Sequence, residues 1–166
     1  MTAFEDDYDP SPDGEPASRS FASEDLDLGH CEVSLSPAGA GADAYELVHV
    51  SYDASWHKGS DPAGEFAAHA ESYAQYNDDP ACSSYTYETE PVDGLGDEAY
   101  IVYGSDITDS TLSWVTLSVR DGWFTSSVTW NSLVTGEEYV NVASRDRVTE
   151  TLVAASDATL RALREG

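Results

Sequence analysis

Basic residues are scarce in this chain of 166 residues, in which seven lysines and arginines stand against 32 aspartates and glutamates. The formal net charge is −25 at pH 7, and a field of that sign repels phosphate backbones and anionic lipid surfaces. This excludes nucleic acid as a partner. The single lysine, Lys58, precedes Gly59 in the order opposite to that of a phosphate-binding loop, so that motif is excluded as well.

Long hydrophobic runs are also missing. No stretch approaches the roughly 20 apolar residues that a membrane-spanning helix needs. Residues Met1–Glu5 have neither the basic nor the apolar region of a secretory signal. Apolar residue types still make up 40% of the chain, which is enough for a hydrophobic core, and a chain of this length favours one domain.

Cysteine is rare, because Cys31 and Cys82 are the only two. They lie far apart and outside any Cys-x-x-Cys spacing, which argues against a zinc site or a thioredoxin-like redox pair. The alternatives are one disulfide bond and two reduced, buried thiols that behave as small apolar groups. We favour the disulfide, since an oxidising compartment also fits the shortage of lysine and the acidic surface. On the chain-entropy account, the bridge stabilises the fold by about 4 kcal/mol.

The first 28 residues are acidic, rich in proline and poor in branched apolar residues. Such a segment cannot bury enough apolar surface to offset the entropy lost on ordering. We therefore predict a disordered acidic tail or linker over residues 1–28 and a single domain over residues 29–166.

Two segments have the apolar spacing of helices. The first begins at Asp61-Pro62, a capping residue followed by proline, and ends near Asn77, whereas the second runs from about Ser144 to Arg164. The other segments after Cys31 are β-branched or aromatic, or alternate as strands do. This order predicts an α+β fold, an antiparallel-rich twisted sheet with both helices packed on one face.

The dipeptide Asp121-Gly122 indicates a two-residue hairpin turn, because glycine supplies the positive φ that such a turn requires. With these residues as the loop, Val119 pairs with Phe124. Alternation then places Val119 and Phe124 in the core and Trp114 and Trp123 on the opposite face.

Four aromatic residues are candidates for ligand binding. Trp114 and Trp123 lie on the outward face of the hairpin, and Tyr85 and Tyr87 share one face of an earlier strand. Tryptophan and tyrosine combine a large stacking surface with a hydrogen-bond donor, which suits recognition. The alternative is that a helix or the tail covers this face.

Motifs for catalysis and metal binding are missing from the sequence. His69 is followed by Ala70-Glu71-Ser72-Tyr73 rather than by the second histidine of a zinc peptidase, and neither Gly-x-Ser-x-Gly nor an EF-hand loop occurs. We interpret the scattered histidines as structural or surface residues and predict no catalytic residue, cofactor or metal. A hydrolase whose Ser-His-Asp triad is assembled in space stays open as an alternative.

The segment Gly94-Leu-Gly-Asp-Glu-Ala-Tyr100, followed by Ile-Val-Tyr, resembles a recurrent signature of actinobacterial cell-envelope lipoproteins and of PknH-like extracellular sensor domains. The resemblance covers about Cys31 to Leu163, through the order of the elements and the cysteine at the start of a strand. The roles of the segment are architectural. Gly94 and Gly96 permit positive-φ backbone, Asp97 can bond to loop amides, and Tyr100 anchors the next strand.

The resemblance implies an extracytoplasmic domain, at the cell envelope or secreted, that senses or binds and does not catalyse. Its partner is expected to be a small molecule or an envelope protein. Besides the hydrolase, a third class is a cytoplasmic interaction or immunity-type protein whose acidity imitates a polyanion.

Overall fold

The computed structural model describes residues 4, 6–11, 16–39, 46–79, 81, 84–108, 110–134 and 143–165. These residues form eight strands and two helices, in the order β1 (Tyr8–Pro10), β2 (Ala17–Ala22), β3 (Leu26–Pro37), β4 (Glu46–His57), α1 (Ala63–Tyr76), β5 (Tyr85–Pro91), β6 (Glu98–Asp106), β7 (Leu112–Asp121), β8 (Phe124–Val134) and α2 (Arg145–Glu165). The bounds of both helices agree with the prediction to within about two residues.

All eight strands belong to one sheet. Seven of them follow the order β1-β3-β4-β8-β7-β6-β5, and the eighth, β2, pairs with a different part of β3 from the part that pairs with β1. Every pairing is antiparallel. The predicted α+β class with an antiparallel sheet and two helices is therefore confirmed.

The helices lie on opposite faces of the sheet, whereas we expected both on one face. Ile101 packs in the main core with Leu152 of α2, while its neighbour Val102 packs in a second cluster with Phe66 and Tyr73 of α1. Successive residues of a strand point to opposite faces. Since residues 100–103 are all buried, β6 needs cover on both sides.

The hairpin between β7 and β8 has the predicted faces but not the predicted register. Asp121 pairs with Phe124, so the two loop residues are Gly122 and Trp123, and Gly122 has the expected positive φ of 61°. The pairing is thus displaced by two residues. A displacement of two keeps each side chain on its face, and Val119 and Phe124 are buried as predicted.

The described part of residues 1–28 is folded, which corrects the prediction of a disordered tail. Tyr8–Pro10 and Ala17–Ala22 both pair with β3, and the proposed boundary after residue 28 falls inside β3 itself. Phe4 and Tyr8 are 6% and 2% exposed. A low apolar content predicted disorder, but two buried rings and backbone pairing to a long strand are enough to order this segment.

Tyr8 is held by polar contacts inside the core. Its hydroxyl donates to the buried carboxylate of Glu46 at 3.0 Å, and that carboxylate also accepts from Ser132 at 2.7 Å. The Tyr8 hydroxyl accepts in turn from the Ala143 amide at 3.2 Å. Burial raises the pKa of Tyr8, so this phenol stays neutral and keeps its proton for Glu46.

Replacing Tyr8 with phenylalanine is expected to lower the free energy of unfolding by about 1–3 kcal/mol, because it removes a donor from a buried carboxylate. Denaturant unfolding measures this. The matched control is Tyr85→Phe, at a position 40% exposed, for which we expect a change within about 0.5 kcal/mol. Equal effects of the two variants would contradict the folded N-terminal segment.

Candidate functional site

Five aromatic side chains converge where α1 meets the edge of the sheet, and they line an open groove with a volume of about 480 Å³. Three of them are the predicted residues Tyr85, Tyr87 and Trp114. The other two, Tyr73 and Tyr76, come from α1. We call this set of five rings and the space between them the aromatic groove.

Tyr73 forms the base of the aromatic groove. Its ring centroid lies 5.6 Å from those of Trp114 and Tyr76 and 6.0 Å from that of Tyr87. The ring planes are inclined by 88° between Tyr73 and Tyr76 and by 84° between Tyr87 and Trp114, but by only 43° between Tyr73 and Tyr87 and by 41° between Tyr73 and Trp114. Tyr73 is buried, whereas Tyr76 and Tyr85 at the rim are exposed. The rings that line the groove therefore lie in several different planes.

The floor of the groove exists because Gly104 has no side chain. On β6, Gly104 pairs with Tyr87 on one side and with Trp114 on the other, so the three residues form a row across one face. A Cβ atom at Gly104 would lie 3.1 Å from Trp114 Cε3 and 3.7 Å from Tyr87 Cε1. Any larger side chain here would fill the space between the two rings.

Asn77 joins the end of α1 to β5. Its Oδ1 accepts from the Tyr87 backbone N–H at 2.7 Å, and its Nδ2 donates to the Tyr87 carbonyl at 2.9 Å. β5 is the last strand on its side of the sheet, so the amide of Asn77 takes the place that a further strand would have at this residue. The contact fixes the position of Tyr87 relative to the two tyrosines of α1.

Asn77→Ala is expected to loosen this junction and to cost about 1–2 kcal/mol, the net worth of two hydrogen bonds. Amide hydrogen exchange at Tyr87 measures it directly, and we expect faster exchange there than in the wild type. Gln75→Ala, on the exposed side of the same helix, should leave that rate unchanged. Unchanged exchange at Tyr87 in Asn77→Ala would contradict the role of Asn77.

Arg145 holds β5 from the opposite face. Its guanidinium donates to Glu88 at 2.7 Å and to Glu90 at 2.9 Å, and it lies 3.6 Å from the centre of the Tyr103 ring. The edge strand that carries Tyr85 and Tyr87 is thus tied to both helices.

The electrostatic character of the groove is acidic. Asp106 lies on its wall, and no lysine, arginine or histidine is among the described residues that line it. Hydrogen bonds from the Thr108 hydroxyl and N–H hold the pKa of Asp106 below its usual value, so this carboxylate is charged at neutral pH. Burial raises the pKa of Tyr73 to about 12, so the central ring is a neutral phenol.

Trp123, the fourth predicted aromatic residue, is not part of the groove. It lies in the turn between β7 and β8 and is 44% exposed, and its carbonyl accepts from the His57 amide at 2.9 Å. An alternative was that a helix covers the outward face of the hairpin, the face that carries Trp114. This holds in part, because α1 packs against Trp114 and leaves the groove open beside it.

The segment from Gly94 to Tyr100 has an architectural position. Gly94 and Gly96 have positive φ values of 77° and 65°. Asp97 accepts from the amide of Gly122 at 2.8 Å, so it bonds to the neighbouring hairpin turn rather than to its own loop. The ring of Tyr100 packs against that of Phe66 with their centroids 5.0 Å apart, and the Tyr100 hydroxyl lies 2.8 Å from His69 Nδ1. Tyr100 therefore anchors α1 as well as β6.

Cys31 lies half-buried on β3 and forms no disulfide with any described residue, and Cys82 lies outside the described residues. The disulfide between Cys31 and Cys82 therefore stays a prediction.

The histidines do not assemble a hydrolytic site within the described part of the chain. His30 lies 2.7 Å from Asp53, which raises the pKa of the imidazole, and His49 lies 3.0 Å from Ser34. These are different histidines, and no histidine among the described hydrogen bonds contacts both a serine and a carboxylate. The described residues also contain no group of three or more histidine, cysteine, aspartate or glutamate residues placed to hold a metal ion.

Neither helix of the described chain has the length and apolar character that crossing a membrane requires. No family model, no curated protein and no solved structure matches the chain.

Proposed function

We propose that this chain is a non-enzymatic, extracytoplasmic binding domain of the sensor-like kind, and that the aromatic groove is its ligand site. The observation that carries the proposal is the convergence of Tyr85, Tyr87 and Trp114 with two tyrosines of α1. Three residues chosen from the sequence for their chemistry thus meet at one opening.

The size of the groove supports a small molecule over an envelope protein as the ligand. Small-molecule sites in proteins have volumes of roughly 300–1,000 Å³ and are lined mainly by apolar and aromatic side chains with a few polar groups. The volume of about 480 Å³ lies in this range, and Asp106 and Asn131 supply polar groups on the wall.

The compartment is part of the proposal and rests on the resemblance of Gly94–Tyr100 to envelope proteins. The mass of the unreduced protein isolated from an oxidising compartment tests the associated disulfide. A mass lower by two hydrogens supports a bond between Cys31 and Cys82, and two thiols that react with an alkylating reagent remove it from the proposal without changing the groove.

The ligand site is tested by titrating the protein with a panel of small neutral, cationic and anionic fragments and recording ¹H–¹⁵N spectra. We expect at least one fragment to shift the amides of Tyr85, Tyr87 and Gly104 and the indole N–H of Trp114. Gly104→Val should remove these shifts, because the added side chain occupies the space between Tyr87 and Trp114.

Trp123→Ala is the matched control, since it removes an exposed aromatic ring outside the groove. It should leave the shifts as they are in the wild type. A panel that shifts no groove signal, or shifts that persist in Gly104→Val, would overturn the aromatic groove as the ligand site.

A further inference from the structure

We propose that the ligand of the aromatic groove is a small organic cation of the quaternary or alkylated ammonium class. This inference rests on the proposed function of the groove and goes beyond it by naming the chemistry that is recognised.

The charge around the groove favours a cation. Asp106 lies on the wall, and no basic side chain is among the described lining residues. Six of the seven basic residues are engaged with carboxylates, as Arg120 is with Asp97 and Arg145 with Glu88. With a net charge of −25 on the whole chain, a positive ligand is attracted towards the protein and an anionic one is repelled.

The directions of the rings favour a compact cation over a flat ligand. The face of an aromatic ring carries negative charge, and a cation within about 6 Å of its centre is attracted. In the groove, the angles between neighbouring ring planes range from 41° for Tyr73 and Trp114 to 88° for Tyr73 and Tyr76. A compact cation can contact lining rings that lie in several different planes, whereas a sugar ring or a planar molecule stacks best on one open, flat face.

The ionisation states of the lining groups fit this chemistry. The pKa of Asp106 lies below its usual value and that of Tyr73 is about 12. At neutral pH, the groove therefore combines one carboxylate with uncharged phenol rings. A quaternary ammonium group has no N–H donor that needs an acceptor and is desolvated more easily than a primary ammonium, so ring faces are sufficient partners for it; a partly alkylated ammonium can donate its remaining N–H to the carboxylate of Asp106.

The experiment compares choline with 3,3-dimethylbutan-1-ol, which has the same shape but a carbon atom in place of the charged nitrogen. Both are titrated at one fixed ionic strength, with binding followed by calorimetry and by the Trp114 indole signal. We expect choline to bind at least tenfold more tightly, which corresponds to about 1.4 kcal/mol and lies within the range for a partly desolvated cation–π contact.

Two variants separate the contributions of ring and carboxylate. Tyr76→Leu keeps apolar bulk at the rim but removes the ring face, so it should weaken choline about three- to tenfold and change the affinity for the neutral alcohol less than twofold. Asp106→Asn should weaken choline about two- to fivefold and make its binding less dependent on salt. Trp123→Leu, outside the groove, should change neither affinity.

Equal affinities for choline and the alcohol, or failure of choline to bind, would overturn the cation as the ligand class. If neutral or anionic fragments still shift the groove signals and Gly104→Val removes those shifts, the binding function survives that result. If no fragment of any charge reaches the groove, both the inference and the proposed function fail. Choline binding that Tyr76→Leu leaves intact would also overturn the inference, because the rings would then not be the recognising groups.

Discussion

Gly96→Ala is expected to destabilise the fold by about 3 kcal/mol or more. A Cβ atom at this position would lie 2.4 Å from the backbone oxygen of Arg120 and 2.9 Å from a methyl carbon of Val119. The φ of 65° adds strain for any residue that has a side chain. Because the nearest atom belongs to the backbone of β7, it cannot move aside without disturbing the hairpin, and overpacking of this kind costs about 1–3 kcal/mol in addition to the strain.

Gly94→Ala is the matched control for this prediction. Gly94 also has a positive φ, of 77°, but nothing lies within 4 Å of a Cβ atom there. We expect a cost of about 1 kcal/mol, from strain alone. Guanidinium unfolding of the two variants gives both values, and equal costs would show that the loop does not pack on β7 as described.

Phe66→Ala is expected to release α1 from the sheet. Only Phe66 and Tyr73 of this helix are buried, and the Phe66 ring packs 5.0 Å from that of Tyr100. Truncation of a buried phenylalanine typically costs about 3–5 kcal/mol. Since α1 also supplies Tyr73 and Tyr76, we expect the groove to lose its ligand in the same variant.

Phe21→Ala makes the same chemical change on β2, where the ring is 61% exposed. It should cost less than about 0.5 kcal/mol. Hydrogen exchange should show that Phe66→Ala unprotects the amides of α1, whereas α2 on the opposite face stays protected. Loss of protection in both helices at once would mean that α1 does not unfold as a separate unit.

The sequence was informative wherever one local pattern determined the outcome. Gly122 with its positive φ, the apolar alternation through Val119 and Leu117, and the helical spacing before Asn77 each act within a few residues, and the structure agrees with them. The exact register of the hairpin was not determined in this way, because Asp121 can either end a strand or begin a turn.

The parts that sequence reasoning missed depend on contacts between distant segments. The acidic neighbours of Tyr8 predict a disordered tail, because its partner Glu46 lies 38 residues away in the sequence. The helices lie on two faces because β6 is buried on both of its sides. The sequence contains a sign of this, since the four consecutive apolar residues Tyr100-Ile-Val-Tyr103 place apolar side chains on both faces of the strand.

The sequence predicts three of the five rings of the aromatic groove. Residue type and strand alternation indicate Tyr85, Tyr87 and Trp114, but Tyr73 and Tyr76 lie in a segment that the sequence marks only as a helix, so nothing local distinguishes them as groove residues. Only the tertiary structure shows that Gly104 leaves room for the rings. Trp123 was misplaced because alternation assigns a face but not a position along the strand.

An isotope-filtered nuclear Overhauser experiment on the wild-type protein, saturated with the tightest-binding fragment, shows directly where the ligand lies. We expect contacts from the ligand protons to the ring protons of Tyr87 and Trp114 and none to those of Trp123. Contacts to Trp123, or to the ring of Trp56 on β4, which is 51% exposed, in place of the groove rings would contradict the aromatic groove as the ligand site.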